Sequence, residues 1–206
     1  VIGYEREHER LERQARIAQI ESHLRYVPVG STDTILDAGC GSGSMARLLA
    51  AQAPDGQVVG LDTNEDYLRY ARARAADEGL TNLEFREGDI FALPFDDDTF
   101  YLVWCKYVLQ WVNEPIHAVR EFHRVTRPGG TVVMCHFDGF GITHHPVDEM
   151  LQPCAEAFFN HVVDPNVGPK CYGMLHQAGF TDIRVGIEAD TSFTVAGSID
   201  PDRRQN

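Results

Sequence analysis

Asp37 and the alternating glycines that follow it carry the most direct chemical signal in this chain. Asp37-Ala38-Gly39-Cys40-Gly41-Ser42-Gly43-Ser44 comes after the apolar pair Ile35-Leu36 and before an apolar-periodic stretch containing Met45, Leu48 and Leu49. Strand, glycine turn and helix N-terminus in that order open a βαβ unit that binds a nucleotide-like ligand. Glycine suits the turn because a side chain would hold the backbone away from the ligand, and because turn positions can require φ > 0. The dinucleotide fingerprint G-x-G-x-x-G/A fails when read from Gly39, where Ser44 takes the last place, and passes when read from Gly41, ending on Ala46. Charge discriminates better than pattern. A pyrophosphate seeks amide donors and the positive end of a helix dipole, whereas a carboxylate two residues ahead of the first glycine suits a cationic ligand.

A second carboxylate stands at Asp62, followed by Thr63, at the end of the apolar run Gln57–Leu61. A ribose-binding acid belongs ~20 residues beyond a glycine turn of this kind, and a carboxylate can accept from both vicinal ribose hydroxyls. Asn64 is placed to cap the next helix, whose stripe is Tyr67, Leu68, Ala71 and Ala75 and whose end is Gly79. Further strands are expected at Leu83–Arg86, Tyr101–Trp104, Thr131–Cys135 and Thr181–Ile187, with Ser192–Ala196 returning antiparallel. Between them, Asn113 is expected to cap a helix with Ile116, Val119, Phe122 and Val125 inward and His117, Arg120 and His123 on its solvated face. Another helix is expected over 173–179. Asp96–Asp98 read as a solvated turn. Strand and helix alternate, so the fold class expected is α/β, a Rossmann-like, doubly wound, mainly parallel sheet flanked by helices.

Asp-x-Gly-x-Gly-x-Gly at 37–43 resembles the first motif of class I S-adenosylmethionine (SAM)-dependent methyltransferases. Leu93-Pro94-Phe95-Asp96-Asp97-Asp98-Thr99-Phe100, Arg127-Pro128-Gly129-Gly130 and Leu175-His176-Gln177-Ala178-Gly179-Phe180-Thr181-Asp182 resemble passages of the type-11 members, the ubiquinone/menaquinone-methyltransferase-like group. Tyr101 departs from that pattern, standing where the relatives carry Asp after Phe100. The resemblance runs over roughly residues 30–190 and implies SAM as cofactor and S-adenosylhomocysteine as product. It implies that Asp89 accepts from the adenine amino group while Ile90 packs on the ring. It also implies that Cys105 and Lys106, at the end of the fourth strand, meet the methionine part, and that Gln110 sits near the transferred methyl. With Asp37, Gly39, Cys40, Gly41, Gly43, Asp62 and Thr63, these form the expected cofactor set.

The implied reaction moves a methyl group by in-line displacement to a small-molecule acceptor, through O-, N- or C-methylation. A base is needed only for a hydroxyl, a protonated amine or an acidic carbon, and His136, His144 and His145 are the candidates, with His136 and His145 preferred. A metal set of His136, Asp138, His144 and His145 lacks a recognisable ligand spacing, and none is expected. A NAD-binding Rossmann oxidoreductase and a non-catalytic SAM-binding protein stay as alternatives.

The chain is read as one domain over 1–206: a lid helix at 1–30, a SAM-binding core at 31–135, a substrate-lid insertion at 136–170 and a C-terminal helix with strands at 171–206. Residues 4–26 read as a charged helix with Leu11, Ala15, Ala18 and Leu24 as an apolar stripe, either a plain surface helix or a lid with Tyr4 or Arg13 reaching in. Net charge is −13, from 31 acidic and 18 basic residues, which would repel phosphate backbones and argues against nucleic acid and anionic membranes as partners. No apolar run approaches the ~20 residues of a membrane span. Five cysteines without a C-x-x-C pair point to a reduced, cytoplasmic setting. A homodimer is left open.

Overall fold

The computed structural model of the chain describes residues 10–12, 24, 27–137, 160–187, 192–199 and 201. Seven strands form one sheet: β1 (Thr34–Ala38), β2 (Gln57–Asp62), β3 (Leu83–Glu87), β4 (Phe100–Lys106), β5 (Thr126–Phe137), β6 (Thr181–Ile187) and β7 (Ser192–Ser198). Their spatial order is β3-β2-β1-β4-β5-β7-β6. Strands β1 to β5 run parallel, and β7 enters antiparallel between β5 and β6. The doubly wound α/β architecture expected from the alternating pattern is therefore the one observed.

Parallel strands covered on both faces read as continuous apolar runs, and β1 and β4 (Thr-Ile-Leu-Asp-Ala and Phe-Tyr-Leu-Val-Trp-Cys-Lys) do so. Successive residues point to opposite sides. Ile35 and Trp104 pack with α1 (Ser44–Gln52) and α2 (Glu65–Asp77), through Leu49, Ala46, Leu68 and Ala71. Leu36 and Val103 face the other way, against α3 (Ile116–Val125) and α4 (Val167–Ala178), through Phe122, Val119, Cys171 and Leu175.

Local signals held where a side chain caps a helix within its own segment. The Asn64 carboxamide accepts from the N–H groups of Asp66 and Tyr67, and Gly79 turns the chain with φ 71° after α2. Elsewhere tertiary contacts moved the boundaries. α3 begins behind Pro115 with no side-chain cap, so Asn113 does not cap it. α4 starts at Val167, earlier than the expected 173, and so takes residues assigned to the insertion. Asp97 is exposed, as expected of a solvated turn, but it has a partner. Arg124 of α3 reaches its carboxylate at 2.9 Å and also donates to the carbonyls of Phe95 and Leu93, pinning the 93–97 loop to the helix. The same guanidinium holds Glu121 below the usual carboxylate range. His123, expected on a solvated face, lies edge-on to Phe180 at 5.0 Å.

Sheet order reverses between β1 and β4, with β2 on one side and β5 on the other. Such a switch point opens a crevice beyond the strand C-termini, where α/β ligands bind.

Candidate functional site

A cleft of about 580 Å³ occupies that crevice. One wall is the glycine turn between β1 and α1. Its backbone is tied to β2, because the N–H groups of Gly39 and Cys40 both donate to the Leu61 carbonyl, at 2.7 and 2.9 Å. Asp62, at the end of β2, completes the tie: one carboxylate oxygen accepts the Gly41 N–H at 2.9 Å and the other accepts the Asn64 N–H at 2.9 Å. Two hydrogen bonds thus fix the carboxylate in place. An ionised carboxyl offers about four lone-pair directions, which leaves acceptor capacity for a ligand in the cleft.

Asp37 lies beneath the turn, 2 % exposed, and its Oδ2 has no hydrogen-bond partner. Burial, reinforced by the neighbouring Asp62 charge, pushes its carboxyl up to about 7, while the Ala46 N–H and the Lys106 ammonium pull the other way. Gln110 follows β4 in the 3-10 turn Leu109–Trp111; it is 1 % exposed, and its Oε1 is likewise without a partner. Leaving a buried acceptor unsatisfied costs about 1–3 kcal/mol. Two such acceptors on one cleft call for an occupant that brings donors or positive charge. On the far side Asp89 holds its own turn, accepting the Phe91 N–H at 2.9 Å, and Ile90 and Phe91 line the cleft beside it.

Of the expected cofactor set, Asp37, Gly39, Cys40, Gly41, Asp62 and Thr63 line this cleft, together with Asp89, Ile90, Lys106 and Gln110. Gly43 and Cys105 do not belong to the wall. Gly43 turns into the core, where a Cβ would come within 2.7 Å of the Phe85 ring, and Cys105 is fully buried on the α3–α4 face of β4. Burial raises the Cys40 and Cys105 thiols well above their ordinary range, so neither is a nucleophile near neutral pH.

His136 is a correction. β5 extends through Phe137, past the expected end at Cys135, so His136 lies inside the strand, in register with Phe193 of β7. Its ring is fully buried, both nitrogens are without partners, and burial pushes it down to about 3. A fully buried, neutral imidazole absent from the cleft wall is not placed to act as its base. His144, His145 and Asp138 fall outside the described residues, as do Tyr4 and Arg13. Among the described residues, no group of three or more His, Cys, Asp or Glu is arranged to hold a metal ion.

Several wall residues carried no usable sequence signal. Tyr67 reads as part of the apolar stripe of α2 yet faces the cleft; Leu11, in the segment read as either a surface helix or a lid, faces it too, as does Arg10. Tyr107 adopts φ 58°, a left-handed conformation rare for an aromatic residue, immediately after β4, and Lys106 lies over its ring at 5.0 Å. Trp111, 46 % exposed, borders the opening with Val108 and Val112.

A family model described as a methyltransferase domain matches residues 30–179. An uncharacterised methyltransferase of Schizosaccharomyces pombe is 32% identical over 179 residues, 82% of this chain and 63% of that protein. A demethylmenaquinone methyltransferase of Lactococcus lactis is 34% identical over 131 residues, 63% of this chain and 50% of that protein. The chain spans about half the length of the curated relatives it matches. Among solved structures, a SAM-dependent methyltransferase from Aquifex aeolicus shares the fold with a TM-score of 0.73 at 21% identity, covering 93% of this chain and 96% of that one.

Proposed function

We propose, from the premise that this chain belongs to the class I SAM-dependent methyltransferase domain family, that it transfers the methyl group of SAM to a flat, apolar small molecule of the phenol or quinol type. The cofactor is SAM and the product S-adenosylhomocysteine. The observation that carries the reading is the unpartnered Oδ2 of Asp37, buried beside the glycine turn of a cleft that also holds Asp62 and Asp89. Three carboxylates suit a cofactor that carries a sulfonium and an ammonium and lacks phosphate; they would oppose a dinucleotide.

In this reading Asp62 accepts from the ribose hydroxyls, and Asp89 and Ile90 receive the adenine. Asp37 and Gln110 face the positively charged methionine end, beside the Gly39–Gly41 backbone. Bound there, SAM supplies a methyl carbon activated by its sulfonium. The chain's own part is alignment and exclusion of water, and such positioning can be worth about 7–11 kcal/mol of barrier. Lys106 contributes a positive charge near the reacting end, which suits an acceptor that attacks as an anion or a polarised hydroxyl. Support for a flat acceptor comes from the Tyr107, Trp111 and Val112 side of the opening, and from the demethylmenaquinone methyltransferases among the relatives.

Parallel calorimetric titrations with SAM, S-adenosylhomocysteine and NAD test the cofactor assignment. Binding of the first two and not of NAD is expected, and binding of NAD alone would overturn it. Turnover with a panel of phenols, quinols and amines, read by mass increase of the acceptor, then tests the acceptor class; methylation of amines alone would exclude the phenol or quinol assignment.

Asp62→Ala is expected to weaken SAM binding by about 1.5–3 kcal/mol, the range for hydrogen bonds to a charged group, or roughly ten- to 150-fold. An unchanged dissociation constant would remove Asp62 from the ribose site. Because Asp62 also holds the Gly41 and Asn64 amides, the thermal midpoint is measured alongside, to separate lost ligand contacts from a loosened turn.

A further inference from the structure

Arg47 sits on α1, directly behind the glycine turn, with its side chain only 8% exposed. Its guanidinium is fully engaged. Nε donates to the two Glu78 carboxylate oxygens at 3.0 and 3.2 Å, Nη1 to the Ser42 carbonyl at 2.9 Å, and Nη2 to the two Glu12 carboxylate oxygens at 2.9 and 3.1 Å. Glu12 receives a second donor, the Ser44 hydroxyl at 2.9 Å, and Ser44 in turn lies 3.1 Å from the Ser42 hydroxyl. Residues 10–12 form a turn of helix that is therefore wired to the residues that build the cofactor-binding turn, across more than thirty positions of sequence. The residues next to Glu12 are not spectators. Arg10 and Leu11 line the cleft, and the Leu11 side chain lies 3.8 Å from where a Cβ on Gly41 would stand.

We propose that the Glu12–Arg47 ion pair, with the Ser44 hydrogen bond, is a latch that holds residues 10–12 over the glycine turn and sets the rate at which cofactor leaves the cleft. This rests on the assignment of the cleft to SAM. Anything seated against Gly41 is covered by Leu11, and moving Leu11 aside separates Glu12 from both Arg47 and Ser44. Because the Glu12 side chain is only 13% exposed, that separation breaks a largely desolvated charge pair. Opening takes from Glu12 two charge-assisted partners at once, the Arg47 guanidinium and the Ser44 hydroxyl, and bonds of that kind are the stronger ones. When it opens, Arg47 keeps Glu78 and the Ser42 carbonyl, so the core side of the network survives. This asymmetry makes the contact releasable: one partner is anchored in the fold and the other rides on the covering segment.

Glu12→Ala is the direct test, with Ser44→Ala as a weaker companion and Glu78→Gln as a control on the face of Arg47 away from the cleft. Dissociation of S-adenosylhomocysteine is measured by stopped flow or surface plasmon resonance, beside the thermal midpoint of each variant without ligand. The latch predicts dissociation at least fivefold faster for Glu12→Ala, a smaller acceleration for Ser44→Ala, and a rate within twofold of wild type for Glu78→Gln. It also predicts that association is not slowed. A lowered midpoint with unchanged dissociation would make Glu12 a structural brace and overturn the latch. So would equal acceleration by Glu78→Gln, which would point to general loosening of α1. Failure of the cofactor assignment looks different: the wild type itself then does not bind S-adenosylhomocysteine.

Discussion

Gly41→Val should lose measurable SAM binding while the protein stays folded, whereas Gly43→Val, two residues on, should damage the fold itself. Both glycines have left-handed backbone, with φ 53° and 76°, so any L-residue at either position carries a penalty of about 1–2 kcal/mol. What surrounds each one differs. A Cβ on Gly41 meets nothing closer than Leu11 Cδ1 at 3.8 Å, because the position opens onto the cleft. Valine there fills space intended for the cofactor, and the cost to folding stays near the backbone penalty, a drop of roughly 2–8 °C in midpoint for a chain of this size. A Cβ on Gly43 comes within 2.7 Å of Phe85 Cζ and 2.8 Å of Ala71 Cβ, both in the buried cluster under α1 and α2. Overpacking a core costs a further 1–3 kcal/mol or so, which brings the total to about 2–5 kcal/mol and the fall in midpoint to as much as about 20 °C. Thermal unfolding and calorimetric titration on the two variants separate these cases. SAM affinity unchanged in a folded Gly41→Val would show that the turn is not the cofactor's cradle.

The difference between those glycines also shows how far a sequence of this kind can be read. The spacing Asp37, Gly39, Gly41, Gly43 specified a turn at the end of a parallel strand, and Asp62 and Asp89 stand at the ends of the next two strands, so topology alone brings all three acids to one crevice. Strand direction is a local property that propagates. Which way each glycine faces is not; it depends on side chains supplied by distant segments, such as Phe85 against Gly43. The same limit explains His136. An imidazole directly after an apolar strand looks accessible, but β5 continues through Phe137, paired with β7, and the His136 side chain is fully buried. Arg47 is the opposite case. A lone arginine on a helix near a glycine turn has no pattern of its own, and its partners Glu12 and Glu78 lie 35 and 31 residues away. Long charged side chains find partners by tertiary proximity, which neither periodicity nor spacing encodes. Asp97 and its Arg124 partner repeat the point.

Asp37 and His136 together make a second prediction of large size: removing either one should expose the pH dependence of the other. Asp37 is raised from an ordinary 3.8 to about 7. Between those values the folded chain keeps a proton that the unfolded chain has released, so this group alone makes stability fall as pH rises, by about 1.4 kcal/mol per unit. His136 is lowered from 6.5 to about 3. Over that interval the unfolded chain holds a proton that the folded chain refuses, so this group makes stability rise with pH at the same slope. From about pH 4 to 6.5 the two oppose each other and nearly cancel. Asp37→Asn leaves His136 uncompensated, and relative to wild type this variant should lose about 3 kcal/mol on going from pH 6.5 to pH 4. His136→Leu leaves Asp37 uncompensated, and relative to wild type it should gain stability over the same descent. Urea unfolding at several pH values checks both, because titratable groups not coupled to the substituted residue subtract out in each difference. Parallel profiles for wild type and both variants would refute the coupling. The Asp37 proton also links to the cofactor: a cation seated against Oδ2 favours the ionised form, so SAM must displace the proton when it binds below pH 7. Affinity for SAM should therefore climb between pH 5.5 and 7.5, and its binding heat at pH 6 should change with the ionisation enthalpy of the buffer. In Asp37→Asn both dependences should vanish, because no proton is left to release.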